Sequence, residues 1–513
     1  MNDWSHGYDV SEGYTYGFRH EMAPDWMDLC ARLAGQEPPR TTPGQRFRYL
    51  ELGCGQGIGL CLLAAANPQG DFVGVDFLPD HIDHARAVAA AAGLDNIYFS
   101  DGDFVQLASD WPEKFGRFDY VTLHGVYSWI SAPVRAALVD CLAHATAPGA
   151  LVYVAYNGQP GWLGSMPFRH ITRLLRETSD QPSTDVLSQS IEIFDRMAAG
   201  GASTFQILPG LKARVAAVKK QSPNYVIHEF MHEGWHPFWA SEVAAELDRA
   251  GLGFVGTATI AETLLPTGLP PALRQMIEEQ SVDPLRQDIQ DFIINQSVRR
   301  DIFRRRRDGA SATHSQQGRD MAALGQMQLH LLTSPQGAAL DVKTSFAEIS
   351  LQRPAFQEVV DALAEGPASI ADILDLPAMR RQGTANALNV LALLLHGQCL
   401  ATGRAGVHRP DAAMRLNRVI AEGAAKGVGY THIAAAALGS AIPVSAVELA
   451  LLDAWLSLPD RTDPIMLAER VQRSLTAAGR LSSIDTQTSD LPRRAATFLD
   501  TDLSRWRRLG ALA

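Results

Sequence analysis

Tyr49-Leu50-Glu51-Leu52-Gly53-Cys54-Gly55-Gln56-Gly57, with Val73-Gly74-Val75-Asp76 after it, is the stretch whose reading decides the fold. An apolar run that breaks into alternating glycines and then resumes as helix is a strand, a turn and a helix start. Glycines there let backbone N–H groups and the helix N-terminus approach a ligand closely, because no side chain intervenes. Asp76 ends the second apolar run, where a carboxylate receives hydrogen bonds from two ribose hydroxyls. Outward from this core, short apolar runs alternate with helical patterns from Phe47 to Asn157. Strands are predicted over 47–52, 71–76, 96–100, 118–124 and 150–156, with a helix over 81–92 that Gly93 stops. This is the rhythm of an α/β, Rossmann-like parallel sheet covered by helices.

Dinucleotide enzymes use a similar turn, but their fingerprint is G-x-G-x-x-G. Here the glycines at 53, 55, 57 and 59 follow G-x-G-x-G-x-G, and an acid, Glu51, precedes them inside the strand. That spacing favours S-adenosylmethionine over NAD. Glu51 and the Gly53 backbone suit the cofactor's ammonium, and Asp76, with Phe77 beside it, its ribose. Gly102-Asp103-Phe104, after the third strand, offers a carboxylate to the adenine amino group and an aromatic face to its ring. Singly, each residue reads as a plain turn or a helix cap; together, three strand ends present suitable groups in order.

At 513 residues the chain exceeds one ordinary core, so two to four domains are expected. A net charge of −11 opposes a general footprint for nucleic acid or anionic membrane. The five cysteines make no Cys-x-x-Cys pair, so neither a disulfide framework nor a zinc site is indicated. The first residues do not read as a leader, and no apolar run reaches the roughly 18 residues of a membrane span, so a cytoplasmic protein is expected.

Met166 to Ser222 reads as a helical insertion. The sheet is expected to resume with strands over 225–230 and 254–260 around a helix over 241–250, completing a domain of residues 1–262. Pro266, Pro270 and Pro271 mark a linker. Residues 263–410 then form a middle, regulatory domain with a winged-helix-like part at 355–408, and 411–513 a helical C-terminal domain. The would-be recognition helix from Thr384 carries no Lys or Arg before its end, which opposes DNA reading. The run Arg299 to Arg307 reads as a solvated helix face, with docking of an acidic protein as its functional alternative.

His124-Gly125-Val126-Tyr127-Ser128-Trp129, Tyr153-Val154-Ala155-Tyr156-Asn157 and Pro160-Gly161-Trp162 follow the fourth and fifth strands. With Tyr14, Tyr16 and Phe18, with His228-Glu229-Phe230, and more weakly with Leu416-Asn417 and Leu438-Gly439, they make the chain resemble bacterial methyltransferases that carry a methyltransferase regulatory domain. Among these are the rickettsial outer-membrane-protein lysine methyltransferases. The resemblance implies a dimerisation role for 166–222, hence a homodimer, and an S-adenosylmethionine site leaving S-adenosylhomocysteine. It implies cofactor contacts from the loop residues Glu51, Gly53, Cys54, Gly55 and Gly57 and from Asp76 and Asp103; Tyr16, Phe77, Phe104 and His124 are expected beside them at the cofactor. It implies a methyl-transfer site lined by Tyr127, Trp129, Tyr156 and Asn157; from the residues themselves, His124 is the candidate general base, Trp162 a further aromatic wall of the acceptor site, and Tyr14 and Phe18 parts of an N-terminal lid over the acceptor.

Methyl transfer is an in-line displacement, so aromatic walls that orient the nucleophile and exclude water suit it, and no metal is needed. His228, His232 and His236 recur every four residues, but Gly234 and Pro237 interrupt any helix that would align them, so no metal site is assigned. The expected partner is a methyl acceptor, first a protein lysine, alternatively a small molecule taking an N- or O-methyl. A different class of reading is a non-catalytic cofactor sensor or scaffold.

Overall fold

A computed structural model describes residues 16–42, 44–221, 223–264, 268–307, 319–333, 340–351, 353–406, 409–458, 462–477 and 490–513. Tyr14 lies outside them. The N-terminal half holds β1 (Phe47–Leu52), α2 (Ile58–Ala66), β2 (Gly70–Asp76), α3 (Pro79–Ala91), β3 (Ile97–Asp101), α4 (Phe104–Ser109), β4 (Phe118–Leu123), α5 (Ala132–Ala145) and β5 (Thr146–Asn157), after an N-terminal helix α1 (Pro24–Leu33). β3, β2, β1, β4 and β5 lie side by side and parallel, as the alternating pattern predicts.

Five helices follow: α6 (Met166–Glu177), α7 (Ser183–Ala199), α8 (Thr204–Ile207), α9 (Pro209–Val218) and α10 (Pro223–Met231). The stretch 225–230, expected as a strand, is therefore helical. Its apolar residues Val226, Ile227 and Phe230 are spaced for one helix face and bury against the insertion's own core, with Phe168 on α6 and Phe194 on α7. α11 (Ala240–Asp248) and β6 (Leu252–Thr257) match the expected helix and strand.

The sheet does not close near 262. α12 (Pro271–Glu278) and α13 (Asp283–Ile294) lead into β7 (Val298–Arg305), which enters between β5 and β6 and is antiparallel to both, in the order β3-β2-β1-β4-β5-β7-β6. The basic run is thus an interior strand, not a solvated helix. Arg299 and Asp301 are 3% and 1% exposed. Arg299 donates to Asp291 at 2.6 Å and Asp301 at 2.8 Å, and the Tyr156 hydroxyl donates to Asp301 at 2.6 Å. Of the remaining arginines, Arg304 donates to Gln36, Arg305 to the Ala250 carbonyl, Arg306 to Asp248 and Arg307 to Glu37. Arg306 and Arg307, just past the strand, form their pairs at the surface, where ion pairs are weak.

α2 reads Ile-Gly-Leu-Cys-Leu-Leu-Ala-Ala-Ala and has no polar face, which requires cover on its outer side as well. The helix Asp411–Ala425 and the hairpin of His432–Ala435 with Ser440–Pro443 supply that cover. Asn67, just past α2, donates to Leu63 O at 2.7 Å and Gly439 O at 2.8 Å. Buried Asn417 exchanges hydrogen bonds with Ala434 and reaches Ala511 O at 2.9 Å. The two weakest sequence likenesses, at 416–417 and 438–439, are thus clamps holding the C-terminal region to the sheet domain. Within the expected winged-helix-like part, 355–408, the strands Ala368–Ser369 and Leu400–Gly403 flank the helix Thr384–His396, and both pair antiparallel with a strand from before it, Gln328–Leu331.

Replacing Arg299 by Ala leaves two carboxylates buried against each other. Unfolding in urea should show a loss of about 3–5 kcal/mol; a change below 1 kcal/mol would show that the β7 charge cluster is dispensable.

Candidate functional site

β1 delivers the chain into the glycine turn at the carboxyl ends of the parallel strands, where open α/β sheets bind ligands. Gly53 and Gly57 adopt φ of +77° and +73°, which side chains disfavour, and both are hemmed in. A Cβ on Gly53 would lie 2.3 Å from Val126 Cγ2, and one on Gly57 2.3 Å from Ala85 Cβ. The Gly53 and Cys54 N–H groups donate to Val75 O at 2.7 and 3.0 Å, folding the turn onto the end of β2. Asp76 Oδ2 accepts from Gly55 N at 2.8 Å and Oδ1 from Leu78 N at 3.0 Å, with His81 Nδ1 3.4 Å away. Each oxygen keeps a further lone pair for a ligand hydroxyl.

Glu51 is buried behind the turn, and its Oε2 has no hydrogen-bond partner. Burial, then the nearby Asp76 charge, pushes its carboxyl up to about 8. An orphaned buried carboxyl is costly. It fits the ammonium group that the sequence assigns to this position, so the residues present suit the cofactor. Asp103 caps α4, its Oδ1 accepting from Val105 N at 2.7 Å, and half-buried Phe104 opens that helix. Half-buried Phe77 follows Asp76 directly, and Cys54 is half-buried within the turn.

The segment from Tyr16 to Met22 lies beside this turn. Gly59 approaches Gly17 O, the Tyr16 ring meets His84 and Tyr430 at 5.4 and 5.2 Å, and His84 Nδ1 bonds Gln56 O at 2.8 Å. Phe18 is buried edge-on against His432, so it serves the N-terminal packing rather than an acceptor surface.

Beyond β4 the structure redistributes the expected transfer residues. His124 bonds the Tyr153 hydroxyl at 3.0 Å, and burial, with Arg19 and Arg300 nearby, pushes its imidazole down to about 3. Such a ring is neutral and a poor proton acceptor near pH 7, which removes its role as general base. Tyr127 and Tyr156 are buried, their hydroxyls donating to Glu246 and Asp301. Both face the interior, where their rings pack against each other in one core and Tyr127 meets Phe238 edge-on. Trp162 is also buried, donating to Ser297 O at 2.8 Å and packing on Trp235 and Phe230, so it is a core residue of the helical insertion.

Trp129 and Asn157 remain half-buried at the strand ends. Ser128 Oγ accepts from Asn157 N at 2.8 Å, and Asn157 Nδ2 donates to Glu229 Oε1 at 3.1 Å. Trp129 meets His232 edge-on at 6.0 Å. Glu229 stood in the sequence only as part of a likeness, because its approach to β5 depends on α10 being a helix. His232 and His236 lie past the end of α10; His232 Nδ1 accepts from Gly234 N and His236 packs on Phe238. Among the described residues no group of three His, Cys, Asp or Glu side chains is arranged to hold a metal.

Residues 44–176 match the family model of a methyltransferase domain, and residues 222–305 that of a predicted methyltransferase regulatory domain. An uncharacterized protein of Synechocystis sp. is 31% identical over 370 residues, 72% of this chain and 71% of that protein. An uncharacterized protein of Rickettsia prowazekii is 27% identical over 56% of this chain and 50% of its own length. In fold, the chain is similar to PKMT2 from Rickettsia typhi, solved in complex with AdoHcy, with a TM-score of 0.66 and 17% identity, covering 96% of this chain and 99% of that one.

Tyr127→Ala removes a buried ring and one hydrogen bond to Glu246, which keeps Arg135 as its partner. It should cost about 3–5 kcal/mol of stability by urea unfolding, while turnover per folded molecule stays within a few-fold of wild type. Full stability with abolished turnover would return Tyr127 to the transfer site.

Proposed function

This chain belongs to the methyltransferases that carry a predicted methyltransferase regulatory domain, and from that premise we propose that it methylates a protein lysine ε-amine, with S-adenosylmethionine as donor. The observation that carries the donor is the glycine turn flanked by Asp76 and by Glu51, whose buried Oε2 has no partner. Bound there, the donor supplies an electrophilic methyl group on a sulfonium. The chain's own residues do the rest. Glu51 accepts the donor's ammonium, Asp76 receives the ribose hydroxyls, and Asp103 and Phe104 flank the base. Trp129 and Asn157 line the approach of the acceptor.

The likeness to the rickettsial outer-membrane-protein lysine methyltransferases supports an amine acceptor, and the fold shared with PKMT2 of Rickettsia typhi is in keeping with it. A lysine must arrive or become neutral, its reference value being about 10.4, and a half-buried aromatic surface such as Trp129 lowers that value. The helical insertion, whose Leu174 and Ile207 are exposed apolar side chains, is the surface we assign to homodimerisation. Five free cysteines are in keeping with a reducing compartment, and no helix among the described residues is long and apolar enough to cross a membrane.

Two measurements test these assignments. An incoming ammonium favours the Glu51 carboxylate, whose carboxyl at about 8 is largely protonated at pH 7, so donor binding at pH 7 should release a proton. Calorimetry in buffers of different ionisation enthalpy should show that release at pH 7. The release should fade above about pH 9 and vanish in Glu51→Gln; buffer-independent enthalpy in the wild type at pH 7 overturns the assignment. For the acceptor, lysate proteins incubated with methyl-labelled donor should carry the label on lysine by mass spectrometry. Label confined to small molecules would replace the protein acceptor, and tight donor binding with no transfer to any fraction would make the chain a sensor.

A further inference from the structure

α10 carries a carboxylate to the acceptor side of the site that the transfer chemistry above does not use. Glu229 is 2% exposed, and two N–H groups converge on its Oε1: Asn157 Nδ2 at 3.1 Å and Trp235 Nε1 at 3.2 Å. Asn157 is the last residue of β5, and its backbone N–H is held by Ser128. Two residues before Ser128, Val126 abuts Gly53 of the glycine turn. One short chain of contacts thus runs from the cofactor turn through the β4 connection to Asn157 and on to Glu229.

We propose that Glu229 is a positioning residue for methyl transfer, holding the Asn157 carboxamide by its nitrogen so that the amide oxygen, Oδ1, receives an N–H of the incoming amine. This rests on the reading of an amine acceptor given above. A carboxamide has one donating and one accepting end, and its orientation is set by what it meets. An ionised carboxylate only accepts, so it takes Nδ2 and leaves Oδ1 as the end that accepts from a ligand. A neutral amine that gives one N–H to Oδ1 keeps its lone pair for the methyl carbon. A protonated Glu229 has an O–H that holds the amide equally well reversed, which would present Nδ2 to the amine and repel its N–H.

Glu229 is therefore effective in its ionised state. Burial pushes its carboxyl up to about 7, against the opposing hydrogen bonds from Trp235 and Asn157 and the charges of Arg214 on α9 and Arg169 on α6. His232, on the connection after α10, is a further titratable group near this corner, and its Nδ1 accepts from Gly234 N at 3.1 Å.

The test has two arms. In protein labelled with nitrogen-15 asparagine, the Asn157 side-chain resonance, assigned through Asn157→Ser, should titrate once near pH 7 and stay fixed in Glu229→Gln. In methyl transfer to poly-L-lysine, the wild-type kcat should rise through a limb near pH 7. Glu229→Gln should lack that limb, and Glu229→Ala should lower kcat at least tenfold with the donor Kd within twofold. Glu229→Asp should recover part of the rate. A pH-invariant Asn157 resonance, or a Glu229→Ala enzyme with wild-type kcat, overturns the assignment. A wild type that leaves poly-L-lysine unmethylated counts against lysine as acceptor, while the Asn157 resonance still decides the role of Glu229.

Discussion

The Arg299 guanidinium, buried between Asp291 and Asp301, is the contact on which the rest of the sheet depends. It lets a strand full of charge run through the interior, because each buried charge meets its opposite and the Tyr156 phenol adds a donor to Asp301. Burial raises the Asp291 carboxyl to about 7, so desolvation opposes its ionisation even with Arg299 beside it. Such a cluster is costly to half-dismantle and specific about its partners. With β7 seated, β5 gains a second neighbour and β6 an attachment. Without it the parallel sheet would end on β5, and the segment matching the regulatory-domain model would have nothing to pair with.

That segment and the methyltransferase half are consequently not separable units. Three carboxylates from residues 222–305 hold three strand-end residues of the other half: Glu229 holds Asn157, Glu246 holds Tyr127, and Asp301 holds Tyr156. The walls beside the cofactor turn are set by side chains far away in sequence. From the opposite side, the C-terminal region covers α2 and reaches the turn itself, where Tyr16 and Tyr430 meet His84, and His84 holds Gln56. Strain or motion in either distal region therefore has a short mechanical route to the cofactor loop.

Much of the nucleotide-binding half was legible because its signals are local. A glycine turn after an apolar run, an acid at the next strand end and Gly93 after an alanine-rich helix each depend on nearby residues only, and β1 to β5 fall where those signals point. Residues 225–230 and 299–307 misled for the same reason. Their side-chain patterns suit two environments, and the choice was made by partners outside the window: the α6–α7 core for the first, Asp291 and Asp301 for the second. The aromatic residues after β4 and β5 were visible as a group, but which of them face the cleft was not. Tyr127, Tyr156 and Trp162 turn inward because distant acceptors, Glu246, Asp301 and the Ser297 carbonyl, take their polar atoms.

By itself, then, the sequence determined the cofactor end of the protein: the turn at Gly53 to Gly57, Glu51 behind it and Asp76 beside it, all fixed by backbone geometry within one βαβ unit. Only the tertiary structure decided the surroundings of the ends of β4 and β5. There, carboxylates arriving from α10, α11 and β7 choose which tyrosines are core and which amide is held at the end of β5. A polar group leaving water must find a partner, and where that partner lies is a property of the packed chain rather than of any stretch of it.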